Sequence, residues 1–192
     1  MNTLHHRIIE ISKNLHLSHV GSCLTACDII EEIYTAKKKD EKFVLSCGHS
    51  GLALYVVLEK HYGLDAEELF LKHGTHPHRD VLDHIHCTTG SLGMGLPIAL
   101  GMALADRTKN VYCLISDGEL FEGTIWESAN VIQKYHVSNL KVYLNFNGWS
   151  AYDKVEEWML NNIMFIFPTI SVRRTKVEDY GLEGLSAHYV TL

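Results

Sequence analysis

Residues 111–149 read VYCLISDGELFEGTIWESANVIQKYHVSNLKVYLNFNGW, and this stretch decides the fold. Val111 to Ile115 is a continuous apolar run of strand length, broken by the acidic turn Ser116-Asp117-Gly118. A helical segment follows and ends near His136, and a second apolar run, Leu140 to Phe146, closes on Asn147-Gly148. Strand, helix and strand in that order make a parallel crossover unit. It places Asp117 and Asn147 at one edge of a sheet, where open α/β sheets bind their ligands. A carboxylate and an amide oxygen brought together there suit Mg²⁺ carrying a bound phosphate.

On the N-terminal side lies Cys87-Thr88-Thr89-Gly90-Ser91-Leu92-Gly93-Met94-Gly95-Leu96-Pro97, which leads into a helix over Ile98 to Asp106. Pro97 suits its first turn, where the missing N–H would have no partner anyway. The glycine spacing matches neither GxGxxG nor the P-loop, so on spacing alone this is a tight turn into a closely packed helix. Before it, residues 73–86 (HGTHPHRDVLDHIH) have little periodicity and read as a long loop. His76, His78, His84 and His86 form two HxH pairs, a metal-ligand spacing, yet Pro77 and Gly74 oppose the regular strand that would align both rings of a pair.

Asp65 with Glu68 three residues on reads as a capping box opening a helix that Gly74 ends. Phe43-Val44-Leu45-Ser46 is a short strand that turns at Cys47-Gly48-His49 into a helix over Gly51 to His61. Ile29, Ile30 and Ile33 mark a helix from Thr25 to Ala36, and Leu4, Ile8, Ile11 and Leu15 an amphipathic one before it. Between these two helices Leu17-Ser18-His19-Val20-Gly21 reads as a loop. His19 there is either an ordinary hydrogen-bonding loop histidine or a site residue. The run Lys37-Lys38-Lys39-Asp40 is a solvated turn.

Beyond Trp149 a polar loop precedes a short helix candidate over Val155 to Leu160, and the apolar run Ile163 to Val172, interrupted by Pro168, reads as a strand. Past Thr175 the chain turns polar, with an isolated His188 near its end. Strands near 43, 111, 140 and 163 alternate with helices. This predicts one α/β domain over residues 1–192, with a mostly parallel sheet covered by helices on both faces.

The composition narrows the function. With a formal charge of -6 and no basic stripe, the sequence carries no electrostatic footprint for nucleic acid, and no apolar run is long enough to cross a bilayer. No signal-peptide core stands at the N-terminus. Five cysteines in apolar surroundings, without a CxxC pair, fit a disulfide framework poorly and point to the reducing cytoplasm.

The motifs together resemble the transketolase family. Asp117-Gly118, Glu122-Gly123, Trp126-Glu127 and Asn147, 30 residues after Asp117, are similar to its thiamine diphosphate signature, a Gly-Asp-Gly followed at a distance by a strand ending in Asn. Ser18-His19-Val20-Gly21, Leu45-Ser46-Cys47-Gly48-His49 and Gly74-Thr75-His76-Pro77 resemble three of its histidine loops, and Thr88 to Gly95 its TTGxLGxG. Thr175 to His188 resembles a tail that ends in a further active-site histidine. The resemblance implies that Asp117, the amide oxygen of Asn147 and the carbonyl of Trp149 ligate Mg²⁺, or Ca²⁺ or Mn²⁺ in its place. It implies that Gly90, Ser91, Leu92, Asp117, Gly118, Glu119 and Asn147 face thiamine diphosphate. His19, His49, His76 and His188 would bind substrate hydroxyls and move protons. Glu122 has two readings: a first-turn acid favoured by the helix dipole, or a member of a carboxylate network between two cofactor sites.

Three departures carry their own implications. Ser116 stands where the family has the first glycine of Gly-Asp-Gly. The stretch between Trp149 and Ser171 is shorter than the family's, so a helix and a strand of the outer layer are expected to be absent, which bears on the placement of His188. Nothing in the 192 residues resembles the family's pyrimidine-binding or C-terminal domains. The expected protein is therefore the diphosphate-binding subunit of a split transketolase-like transferase. A separate chain would supply those domains in a heterotetramer that acts on a small sugar or 2-oxo acid. The alternative is a non-catalytic cofactor-binding or scaffolding relative.

Overall fold

The structure, a computed structural model, describes residues 1–191. Four strands, β1 (Lys42–Leu45), β2 (Val111–Ser116), β3 (Leu140–Phe146) and β4 (Ser171–Arg174), form one parallel sheet in the order β1-β2-β3-β4. The central strands are apolar because both faces of the sheet are covered. Cys113, Leu114, Ile115 and Leu144 are all fully buried, as expected of a parallel sheet between helical layers.

Helices α1 (Thr3–Leu15), α2 (Val20–Ala36), α3 (Gly51–Tyr62) and α4 (Ala66–His73) pack on the face that presents Phe43, Leu45, Tyr112 and Leu114. Helices α5 (Gly95–Ala105), α6 (Gly123–Lys134) and α7 (Glu157–Ile166) cover the face that presents Val44, Cys113, Ile115 and Leu144. Alternate residues of one strand thus feed two separate cores. The expected class, a mostly parallel sheet with helices on both faces, holds. The helical crossings return every strand in the same direction, so Leu45, Ser116, Phe146 and Arg174 all end at one edge.

Two elements differ from their expected limits. Helix α2 begins at Val20 rather than Thr25, with His19 as its left-handed N-cap (φ 61°). Gly21, which reads as loop punctuation, lies inside the helix and serves close packing: a Cβ there would stand 2.7 Å from the Ala187 Cβ of the tail. The run expected as a strand from Ile163 is helix to Ile166, and β4 starts only at Ser171. Pro168, which cannot continue a helix, separates them. The short helix expected over Val155 to Leu160 thus runs over Glu157–Ile166, and it makes the crossing from β3 to β4.

Two short 3-10 turns, Val177–Tyr180 and Gly184–His188, carry the tail back over α2. His188 O accepts the His19 N–H at 3.0 Å. Tyr189 Oη donates to the Ala151 carbonyl, which ties the tail to the loop after β3.

Candidate active site

The C-terminal edge of the sheet opens into a cavity of about 180 Å³. The strand register decides what meets there. Ser116 pairs with Asn145 across β2 and β3, so Asp117 and Asn147 leave the sheet side by side. Asp117 is fully buried beneath the cavity. Its Oδ1 accepts the Gly118 N–H at 3.0 Å and its Oδ2 the Gly148 N–H at 2.6 Å. Burial raises its pKa to about 7, against the lowering effect of those backbone N–H groups. Asn147 Oδ1 accepts the Trp149 N–H at 2.9 Å. Each of these oxygens keeps a lone pair after its hydrogen bond. Trp149 lines the same cavity, and a carboxylate, a side-chain amide and a backbone carbonyl are the hard oxygen donor types that Mg²⁺ takes together with phosphate.

Histidines line the same cavity. His19 and His49 rings lie 5.6 Å apart, His49 and His188 rings 6.4 Å apart, and His76 completes the group. Burial lowers the pKa of His49 to about 3, and the neighbouring His19, His188 and His76 add to the effect. Burial likewise lowers His19, together with His76, and lowers His188, together with His19. These three rings are neutral at physiological pH, so they act as hydrogen-bonding groups rather than cations. Among the described residues, two of their nitrogens, His19 Nδ1 and His188 Nε2, are buried and find no hydrogen-bond partner. His188 Nδ1 shares a 2.8 Å hydrogen bond with Ser22 Oγ, which fixes the ring's orientation. Paired neutral imidazoles with free nitrogens are suited to a ligand that carries hydroxyls or a carbonyl.

The glycine loop lines the cavity too. Gly90 has φ +141°, and a Cβ there would come within 3.1–3.2 Å of the His76 side chain. Glycine thus lets the loop backbone and His76 share the cavity wall. Leu92 also lines the cavity.

The family model for the transketolase thiamine diphosphate binding domain matches residues 9–179. The chain belongs to the transketolase family. Among relatives, the 6-deoxy-6-sulfo-D-fructose transketolase subunit SqwG of Clostridium sp. (strain MSTE9) is 34% identical over 158 residues, 72% of this chain and 57% of that protein. An apulose-4-phosphate transketolase subunit of Phocaeicola vulgatus is 30% identical over 173 residues, 80% of this chain and 61% of that protein. The chain thus spans about three fifths of the length of these relatives. The solved transketolase of Campylobacter jejuni superposes with a TM-score of 0.71 at 21% identity, over 88% of this chain and 32% of that one.

In this cavity of the transketolase-family fold, the structure brings together His19, His49, His76, His188, Gly90, Leu92, Asp117, Gly118, Asn147 and Trp149. Three expected residues lie elsewhere. Ser91 is exposed and stands outside the cavity wall. Glu122, at the N-cap of α6, makes no capping hydrogen bond and lines a neighbouring apolar depression with Leu92, Phe121 and Tyr152. Glu119, expected to face the cofactor, is fully buried and does not reach the cavity, because all its hydrogen bonds point into the protein. Ser116, in place of the family's glycine, has an extended backbone (φ -97°, ψ 160°), so no glycine is required there.

Ser22, Ser50, Asn145, Ser150, Ala151 and Tyr189 also line the cavity, beyond the expected set. Asn145 alone carries a signal in the sequence: a polar residue at a buried strand position, between Leu144 and Phe146. Its amide is held by Thr25 and Thr175, donating to Thr25 Oγ1 at 3.0 Å and accepting from Thr175 Oγ1 at 2.6 Å. The HxH reading of the histidine-rich loop separates in the structure: His84 stacks on Tyr62 with ring centroids 3.7 Å apart, and His86 Nδ1 meets the Phe43 carbonyl at 3.3 Å.

Proposed function

We propose that this chain is the diphosphate-binding subunit of a two-component, thiamine-diphosphate-dependent transketolase-like transferase. It would move a two-carbon ketol unit, or an acyl unit, from a ketose or 2-oxo acid donor to an aldehyde acceptor. The observation that carries this reading is the gathering in one cavity of the oxygen-bearing residues Asp117, Asn147 and Trp149 with four histidines. The names of two relatives as transketolase subunits support the split arrangement.

Asp117, Asn147 and the Trp149 carbonyl would hold Mg²⁺ with the cofactor's diphosphate in its shell, and Gly90, Leu92 and Gly118 would form the backbone surface against it. Bound thiamine diphosphate supplies the nucleophilic carbon that accepts the transferred unit. The work of the chain itself is positional and protonic. His19 Nδ1 and His188 Nε2 would bind donor hydroxyls or the carbonyl oxygen. His49, held neutral by burial, would accept or return a proton without carrying a standing charge. Ser22 keeps His188 aimed, and Tyr189 latches the tail to Ala151 beside it.

A separate chain carrying the pyrimidine-binding and C-terminal domains would complete the site, in a heterotetramer with active sites between subunits. The cytoplasm is the compartment this reading favours, since all five cysteines are free and buried. Among the described residues, no helix is long and apolar enough to cross a membrane.

The test mixes this chain with a purified chain bearing those domains, in the presence of thiamine diphosphate and Mg²⁺. Carbonyl ligation that needs both chains and is lost in Asp117→Ala is the expected result. Cofactor binding without ligation on any ketose or 2-oxo acid would favour a non-catalytic relative. Activity indifferent to Asp117→Ala would refute the assignment.

A further inference from the structure

Glu119 stands two residues beyond Asp117, is fully buried, and is the only carboxylate among the described residues that joins three cavity-forming segments at once. Its Oε1 accepts from Ser46 Oγ at 2.5 Å and from the Gly93 N–H at 2.9 Å. Its Oε2 accepts from the Ser116 N–H at 2.8 Å and lies 3.3 Å from Ser116 Oγ. Burying a carboxylate is unfavourable unless such bonds satisfy it. Here every one of them comes from a segment that shapes the cavity.

Ser46 leads directly into Cys47-Gly48-His49, Gly93 follows the lining residue Leu92, and Ser116 precedes Asp117. The Gly93 peptide is held from its other side too, because Thr124 Oγ1 donates to the Gly93 carbonyl at 2.9 Å. There is no room for the loop to drift: a Cβ on Gly93 would fall 2.5 Å from Thr124 Oγ1, and one on Gly95 2.5 Å from the Ser46 Cα. We infer that Glu119 is a positioning residue, an internal clip that sets the spacing between the glycine loop, the His49 turn and the Asp117 turn without touching the ligand they hold.

The inference rests on the proposed cofactor reading, and it explains why an acceptor-only group is needed. Two backbone N–H groups, Gly93 and Ser116, point at opposite oxygens of the carboxylate. Backbone donors cannot reverse their polarity. In Glu119→Gln the amide NH₂ would face one of them whichever way it flips. The isosteric variant should therefore open the clip, whereas Ser46→Ala removes one hydroxyl donor and leaves both backbone bonds intact.

The experiment measures thiamine diphosphate affinity in Mg²⁺ by Trp149-sensitive fluorescence on the complex of both chains, together with amide hydrogen exchange of the full chain without ligand. For Glu119→Gln we expect the dissociation constant to rise about 10-fold or more, in the range that indirect partners of metal sites produce, with kcat recovered at saturating cofactor. For Ser46→Ala we expect a rise of about 2- to 10-fold, the effect of one hydrogen bond. Exchange should accelerate together in residues 90–95 and 46–49, while α6 and β3 stay protected. A purely structural role would lower the thermal midpoint but leave the affinity of the folded protein and this local exchange pattern unchanged. Wild-type affinity and exchange in both variants, or in Ser46→Ala alone should Glu119→Gln not fold, would overturn the inference. If the wild-type complex binds no thiamine diphosphate, the functional reading fails, and the exchange comparison still decides the clip.

Discussion

The Asp117 carboxylate accepts the Gly148 N–H at 2.6 Å, across 31 residues of sequence. This one bond fastens the exit of β2 to the exit of β3, so the group expected to carry the metal also fixes the loop that carries the other two donors. Removing it acts twice. Asp117→Ala should weaken Mg²⁺-dependent thiamine diphosphate binding by more than about 100-fold, beyond the 10- to 100-fold typical of partners outside the metal's own shell. Titration calorimetry with and without EDTA measures this. Affinity within a few-fold of wild type would remove Asp117 from the site.

Gly90→Ala tests the glycine loop. At φ +141° an L-residue is strained, and the added Cβ would press on the His76 side chain at 3.1–3.2 Å. The substitution should cost about 1–3 kcal/mol in urea unfolding and also raise the donor KM by displacing His76. Unchanged stability would mean that the loop relaxes freely, against the close packing described here.

The edge of the sheet is legible in the sequence and its surroundings are less so, for physical reasons. Val111 to Ile115 and Leu140 to Phe146 read as strands because a sheet buried on both faces needs unbroken apolar runs, and such runs place their end residues without further information. Sequence alone starts helix α2 five residues late because Gly21 breaks helices on propensity, whereas here it is selected by contact with Ala187, far along the chain. Ser22 escapes sequence reading for the same reason: it reaches the cavity only because the helix starts early. Glu119 sits in a turn where one residue more or less reverses the direction of the side chain, and sequence cannot tell a carboxylate facing a ligand from one facing three backbone segments.

Acid should draw stability from the buried histidines, while Asp117, its pKa raised to about 7 by burial, contributes in the opposite direction as the pH falls. His49 titrates near 6.5 when unfolded and at about 3 in the folded protein, because it is buried among other histidines. Above pH 6.5 both states are neutral and its full contribution to stability is present. Below it the unfolded chain takes up a proton that the folded chain refuses, so the contribution of His49 to stability falls by roughly 1.4 kcal/mol per pH unit until the pH approaches the folded value. His19 and His188 shift in the same direction and deepen the loss. In His49→Gln the change in unfolding free energy from pH 7 to pH 5 should be more favourable than in wild type by about 2 kcal/mol, because the Asp117 contribution is common to both proteins. An identical pH slope in wild type and variant would mean that His49 is accessible to protons in the folded state.

The stretch after β3 offers the sharpest contrast between two readings of the same residues. In a strand, Ile163 and Phe165 would share a face, and both would be buried or both exposed. In α7 they lie two positions apart on a 3.6-residue period, and the structure separates them: Ile163 is fully buried against the α5–α7 core and Phe165 is 87% exposed. A short apolar run cannot settle this by pattern alone; the nearby Pro168, which lets the helix end and the strand begin only at Ser171, does. Ile163→Ala should therefore cost about 2–5 kcal/mol, while Phe165→Ala should fall within about 0.5 kcal/mol of wild type. Urea unfolding of the two variants checks both values. Similar losses at the two positions would restore the strand reading and with it a different crossing between β3 and β4.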